Sequence, residues 1–435
     1  MKVFFETLGC PKNFNDSQVA KGILEEKAYT VVDSPETADV IVVNTCGFIN
    51  DAKTESIERI FDMAAYKEEG KKLVVSGCLS ERYAAELYEE MPEVDLFIGV
   101  NEYEQLPELL EGLDERNVVK SGCAPDVVAH MPRKLDENPY TATLKIAEGC
   151  NNICAYCVIP QIRGKFRSKK EEDILLEAEE LAKAGCKELI LIAQDTTYYG
   201  VDLYGEFRLA KLLKKLCRIE GIEWIRLMYC YEDRITDELI QVMAEEKKIC
   251  HYLDIPIQHA SDSVLAAMNR RSTAASIANT MNRLKAAMPD IHVRTTLIVG
   301  FPGETDEDYD QLVDFVETER FARLGVFAYS QEEGTEAGDR EDQIDEEIKE
   351  VRLDGIMRRQ LDISLAYNQA KVGQTFEVIV DEIDDDGSYI GRTRYDAPEI
   401  DNSVIFTSTK VLKPGDIVNV MVNDAFDYDL VGTEV

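Results

Sequence analysis

Cys150, Cys154 and Cys157 stand in the run Glu-Gly-Cys-Asn-Asn-Ile-Cys-Ala-Tyr-Cys, directly after the apolar, strand-like segment Ala142–Ala147. Thiolates at Cys-x-x-x-Cys-x-x-Cys spacing can hold three irons of a [4Fe–4S] cluster and leave the fourth iron without a protein ligand. An open metal position is where chemistry, and not structure alone, is expected. Zinc is disfavoured because it wants four ligands, and no fourth Cys or His lies within a dozen residues of the triplet.

Cys10, Cys46 and Cys78 look scattered until they are placed on elements. Each follows a strand-like run at once, in Thr7-Leu8-Gly9-Cys10, Asn44-Thr45-Cys46-Gly47 and Ser76-Gly77-Cys78. Ligand sites of open parallel sheets form beyond the carboxyl ends of the strands, so three thiols leaving three strands there can converge on one metal centre. Each has a neighbouring glycine, which permits tight turns and close backbone approach. The bland alternative is three small buried hydrophobes at strand ends. The other five cysteines (Cys123, Cys186, Cys217, Cys230 and Cys250) share no spacing and read as core or incidental.

The elements that must position these thiols divide into three blocks. Residues 1–123 alternate strands (Lys2–Leu8, Asp39–Thr45, Leu73–Ser76, Asp95–Ile98) with helices (Asp16–Lys27, Thr54–Glu69, Ser80–Glu90), which predicts an open parallel α/β sheet domain. Residues 124–139, with three prolines, read as a linker. Residues 140–372 carry six further strand candidates: Ala142–Ala147, Glu188–Ala193, Trp224–Tyr229, His251–Ile257, His292–Val299 and Leu324–Ala328. They predict an incomplete (β/α)6 barrel followed by a helical segment, Asp345–Val372. Residues 373–435 show two-residue alternation with turn signals at Asp386-Gly387 and Pro414-Gly415, the mark of a small OB-like β-barrel. The charge run Lys169–Asp173 reads as a solvated helix start, and His130 and His292 as structural.

Composition narrows the partners. The 84 acids against 48 bases give a net charge of −36, a poor basis for nucleic-acid binding, which draws its affinity from Lys and Arg. A basic protein partner fits better; solubility alone is the plainer account of the acidity. No run of 18 apolar residues appears, so no membrane segment is expected. The first residues read as a strand and not as a signal peptide. Eleven cysteines, an odd number, argue for metal ligands over disulfides and for a reducing, cytoplasmic location.

Five segments together resemble the radical SAM (S-adenosylmethionine) methylthiotransferases: Thr7–Asn13, Val43–Cys46, Ser76–Cys78, the 150/154/157 triplet with Ile159–Gly164, and Ile298–Thr305. The C-terminal block is similar to that family's TRAM domain. The resemblance implies that Cys150, Cys154 and Cys157 bind the cluster whose open iron chelates SAM, the source of a 5′-deoxyadenosyl radical. It implies that Cys10, Cys46 and Cys78 bind an auxiliary [4Fe–4S] cluster that delivers sulfur methylated by a second SAM, with an electron donor such as flavodoxin or ferredoxin. Two branches compete as to substrate. Cys-Pro-Lys-Asn at Cys10 looks like the branch that modifies an aspartate of ribosomal protein S twelve, on its β-carbon; tRNA-adenosine enzymes usually read Cys-Gln-x-Asn. The C-terminal block, with 14 acidic and 4 basic residues, points the same way. Its aromatics (Tyr389, Tyr395, Phe406, Phe426, Tyr428) read as barrel core. The alternatives are a tRNA methylthiotransferase, a radical SAM enzyme inserting sulfur into another target, and a non-enzymatic iron–sulfur carrier or scaffold, though a plain carrier uses four protein ligands per cluster. Segments at strand ends (Gln194-Asp195, Gln258-His259, Ile298–Gly303) are candidate SAM contacts. A monomer is the default expectation.

Overall fold

A computed structural model describes residues 1–67, 70–113, 115–119, 129–135 and 139–435. The first unit is a six-stranded, all-parallel sheet of β1 (Lys2–Thr7), β2 (Thr30–Val31), β3 (Val40–Thr45), β4 (Lys72–Gly77), β5 (Leu96–Ile98) and β6 (Asn117–Val119), in the order β2-β1-β3-β4-β5-β6. All six residues of β3 are buried, as expected of a parallel strand covered on both faces. Helices α1 (Pro11–Glu26), α2 (Asn50–Ala64) and α3 (Cys78–Glu90) make the crossovers, with a short α4 (Leu106–Glu111) behind β5. Strand order reverses between β1 and β3, and a crevice opens beyond their carboxyl ends at that switch point.

Two details differ from expectation. Helix α1 begins at Pro11, not Asp16, because a proline at the first helical position is already set for the helix and needs no donor there. The edge strands β2 and β6 are two and three residues long, too short for a periodic signal.

The second unit begins with β7 (Thr141–Lys145), followed by a two-stranded β8 (Ala147–Glu148) and β9 (Arg167–Ser168) pair flanking α5 (Ile159–Arg163). Strands β10 (Glu188–Ile192), β11 (Trp224–Leu227), β12 (Ile249–Asp254), β13 (His292–Val299) and β14 (Arg323–Ala328) complete an open parallel sheet in the order β14-β13-β12-β11-β10-β7. Residues such as Leu189, Leu191, Ile225 and Leu227 pack under the helices in the largest core, while their alternate neighbours Ile190, Ile192, Trp224 and Tyr252 face the other side. The helix Glu346–Gln369 leads into a closed five-stranded barrel, β15 (Thr375–Ile383), β16 (Tyr389–Thr393), β17 (Val404–Thr407), β18 (Ile417–Ala425) and β19 (Leu430–Glu434).

That barrel packs on the helix-free face of the second sheet. Ile379 and Ala397 join the Trp224 and Tyr252 cluster, and Arg226 and Arg392 both pair with the fully buried Glu188. Tyr389 and Phe406 stack in the barrel core at 5.6 Å, as expected of core aromatics. Tyr395 instead stacks on His292 at 4.3 Å, which places that histidine in the interface, and Phe426 and Tyr428 are exposed.

The stretch 124–139 lies partly outside the described residues. Its described portion, 129–135, is a strap across α1: a Cβ at Gly22 would lie 2.5 Å from the Pro132 carbonyl oxygen. Arg133 donates to Gln18 (2.6 Å), the Thr143 carbonyl (2.8 Å) and Glu177 (2.6 Å), tying the first two units together. The charge run Lys169–Asp173 is solvated only in part: Lys170 and Glu172 are exposed, whereas Lys169 and Glu171 are not. Lys169 is buried against Glu177, and Glu171 is buried against Lys215 and Arg208, because that side of the helix start packs against β7 and the helix Leu209–Leu216.

Candidate active site

Cys10, Cys46 and Cys78 leave β1, β3 and β4 on one sheet edge, and their glycines interlock. A Cβ on Gly9 would lie 2.8 Å from the Cys46 Cβ, and one on Gly47 would lie 2.7 Å from the Leu79 backbone nitrogen beside Cys78. A Cβ on Gly77 would meet the Asn44 Oδ1 at 2.4 Å, at a φ of +94° that side chains rarely adopt. Asn13 fastens the three loops: its Nδ2 donates to the Leu8 and Thr45 carbonyls at 3.0 Å, and its Oδ1 lies 3.8 Å from the Cys78 Sγ. The Ser56 hydroxyl closes the Cys46 turn, accepting from its N–H (3.1 Å) and donating to its carbonyl (2.9 Å).

The thiols feel one another. Burial first, and then the neighbouring Cys78 and Cys10, push the Cys46 thiol up to about 11. Burial also raises Cys78, with Cys10 adding to the rise and Arg163 opposing it. Thiols crowded in this way stay protonated until a cation draws them together.

The central triplet sits on the loop between β8 and α5. The Cys150 N–H donates to the Gly164 carbonyl at 3.1 Å, and the Cys157 N–H to the Cys154 carbonyl at 3.1 Å. Asn152 donates to the Cys150 Sγ at 3.4 Å from both its backbone N–H and its Nδ2. Its side chain is held in turn by Asp195 (3.1 Å) and Arg234 (2.6 Å). Cys154 lies 3.7 Å from the Tyr231 hydroxyl. Burial, and then Cys154, raise Cys157 and Cys150.

Both trios suit a cluster by chemistry and setting: soft thiolates, N–H donors aimed at sulfur, and backbone packed where a Cβ would clash. Among the described residues, no three His, Cys, Asp or Glu side chains close on a single point tightly enough to chelate one ion. A cluster takes one thiolate per iron at three separate corners and does not require such a point.

Arg163, the arginine of the Ile159–Gly164 segment that follows the central triplet, reaches across to the first unit and is 2% exposed. Its Nη1 donates to Asp16 of α1 (2.6 Å) and reaches Glu148 (3.4 Å); its Nη2 donates to Asn13 Oδ1 (2.7 Å) and the Cys78 Sγ (3.4 Å). Lys145 completes the network, 2.5 Å from Asp16 and 2.8 Å from Glu148. Burial alone would raise the Glu148 carboxyl; Lys145 and Arg163 hold it well below its ordinary value. Cys78, Val100, Val158 and Ile162 form one dry cluster across the junction. Neither Arg163 nor Asn13 and Asn152 had been singled out from the sequence, although all three lie inside the segments that carried the family resemblance.

The other strand-end segments also lie at the mouth of the second sheet. Asp195 is occupied by Asn152 and Arg234. Glu304 binds the Gly300 and Phe301 N–H groups at 2.8 and 3.2 Å, and His259 lies 3.5 Å from it. Among the remaining cysteines Cys186, Cys230 and Cys250 are buried and Cys217 is half-buried; Cys123 lies outside the described residues.

Residues 2–99 match the Uncharacterized protein family UPF0004, residues 144–316 the Radical SAM superfamily, and residues 372–435 the TRAM domain. The chain is 49% identical over 438 residues to the "Ribosomal protein uS12 methylthiotransferase RimO" of Desulforamulus reducens, covering 98% of each chain. It belongs to the RimO methylthiotransferase family. A relative of the same name from Clostridioides difficile is 49% identical over 436 residues, covering 99% of this chain and 98% of the relative. Among solved structures, the radical S-adenosylmethionine methyltransferase TsrM from Kitasatospora setae superposes with a TM-score of 0.58 at 14% identity, over 78% of this chain and 75% of that one. That likeness concerns the fold alone. In this RimO-family chain the UPF0004 and radical SAM matches fall within the first and second units, and the TRAM match covers the closed barrel.

Proposed function

We propose that this chain is a radical SAM methylthiotransferase that replaces a β-carbon C–H of an aspartate in ribosomal protein S twelve by C–SCH₃. The observation that carries the reading is the junction itself: Arg163 touches the Cys78 sulfur of one trio, and the carbonyl of its neighbour Gly164 accepts from the Cys150 N–H of the other. Cys150, Cys154 and Cys157 would hold one [4Fe–4S] cluster, and Cys10, Cys46 and Cys78 the second. Bound there, the first cluster with SAM supplies a 5′-deoxyadenosyl radical and the second supplies methylated sulfur, chemistry that no side-chain acid or base offers at an unactivated carbon. Asn152 steadies the Cys150 sulfur and Arg163 the Cys78 sulfur, while the apolar cluster around Val100 and Val158 keeps water from the junction.

The relatives' name and the charge of the chain both support the protein substrate. The exposed Phe426 and Tyr428 are the one feature that favours tRNA, and they stand on a barrel with 14 acids against 4 bases, which repels phosphate. Action as a monomer in the cytoplasm, with a flavodoxin- or ferredoxin-like electron donor, completes the proposal. Among the described residues no helix is long and apolar enough to cross a membrane. The test is mass spectrometry after anaerobic incubation with SAM and reductant, offering the ribosomal protein and bulk tRNA separately. A methylthio gain on an aspartate is expected, with tRNA unchanged; a modified adenosine would overturn the substrate assignment.

A further inference from the structure

Lys12 is 9% exposed, yet its ammonium makes no ion pair with any described residue. Of the buried lysines and arginines described, only Lys371, in the barrel interface, shares that state; Arg163, Lys169, Arg226, Arg234, Arg270, Arg323, Lys349, Arg352 and Arg392 all have carboxylate partners. A buried cation with no carboxylate in contact is costly, and a chain this acidic has partners to spare. The Lys12 Nζ instead stands 3.3 Å from the centroid of the Tyr229 ring. Tyr229 is held at a φ of +58°, a strained conformation for a non-glycine residue of the kind found at functional sites.

The location is informative. Lys12 lies two residues beyond Cys10, and Tyr229 two residues before Tyr231, whose hydroxyl touches the Cys154 Sγ. Two residues of extended chain span at most about 7 Å. Lys12 therefore stands where the two units meet, on α1 just past Cys10 and against a residue that follows β11.

We propose that Lys12 is the receptor for the side-chain carboxylate of the target aspartate, with the Tyr229 ring fixing its ammonium in place. This rests on the substrate reading above and deepens it. The carboxylate carbon of aspartate is bonded directly to the β-carbon, so a clamp on the carboxylate fixes the reacting C–H within one bond. It also supplies the positive charge that an acidic residue needs to enter this protein.

The test measures binding of a peptide carrying the target loop, by fluorescence anisotropy without SAM, in Asp and Asn versions, to iron-loaded wild type, Lys12→Met and Lys12→Arg. Wild type should prefer the Asp peptide by about ten- to a hundredfold, the range for a hydrogen-bonded charge in a partly dry site. Lys12→Met should bind both peptides at the wild-type level for the Asn peptide, and Lys12→Arg should keep the preference. Independent, additive losses for the two changes would overturn the proposal. So would unchanged peptide binding with an altered auxiliary-cluster spectrum, which would make Lys12 a counter-charge for the cluster. Failure of wild type to bind or modify the Asp peptide at all would remove the substrate reading and the proposal with it. Wild-type modification without an Asp-over-Asn preference would remove only the role of Lys12.

Discussion

The guanidinium of Arg163 lies 3.4 Å from the sulfur of Cys78, although the two residues belong to different units and lie 85 positions apart. The same side chain pairs with Asp16 and Glu148, sharing them with Lys145. Arg163 therefore binds the first unit to the loop that carries the central triplet. Arg163→Met should destabilise the protein by about 3–5 kcal/mol, the usual cost of breaking a buried pair from one side. Denaturant unfolding of the metal-free protein measures this. A loss below about 1 kcal/mol would mean that Lys145 alone satisfies both carboxylates.

Gly77 gives a sharper handle on the auxiliary site. A methyl group there meets Asn44 and the Thr45 backbone, at a φ that only glycine adopts readily. Gly77→Ala should therefore disturb the Cys46 and Cys78 turns together while leaving the central loop alone. Iron after reconstitution should fall from about eight to about four per chain, since each cluster holds four. An unchanged iron content would show that the turn relaxes without moving the thiols.

Loading of iron should be linked to protons. Burial and the neighbouring thiols hold Cys46 at about 11 and raise Cys78 as well, so the metal-free thiols carry their protons at neutral pH. Binding must release them, and the apparent affinity for iron should fall as pH falls from 8 to 6, roughly tenfold per unit for each proton released. Iron binding followed at several pH values checks the sign; affinity independent of pH would mean the thiolates preexist.

Much of this was legible in the sequence, for identifiable reasons. The trio at Cys10, Cys46 and Cys78 could be read because each cysteine ends an apolar run, and a parallel sheet brings such ends to one edge. Most strands of the second sheet are legible because β10 to β13 are largely buried apolar runs of strand length. What stayed hidden depends on contacts between distant positions. Neither the partners of Arg163 nor the bare ammonium of Lys12 can be seen without the docking of the two sheets. The burial of Lys169 and Glu171 was misjudged because a charge run looks solvated until its partners Glu177 and Lys215 are in place. The short edge strands β2 and β6 carry too few residues for any period to register.

The division of labour between the two trios is the central claim, and one paired measurement tests it. Cys46→Ala and Cys154→Ala variants, reconstituted anaerobically, would be assayed side by side for 5′-deoxyadenosine formation from SAM and for methylthio transfer to the ribosomal protein. Cys154→Ala should form neither product, whereas Cys46→Ala should still form 5′-deoxyadenosine and transfer no sulfur. Full transfer by Cys46→Ala, or SAM cleavage surviving in Cys154→Ala, would contradict the assignment.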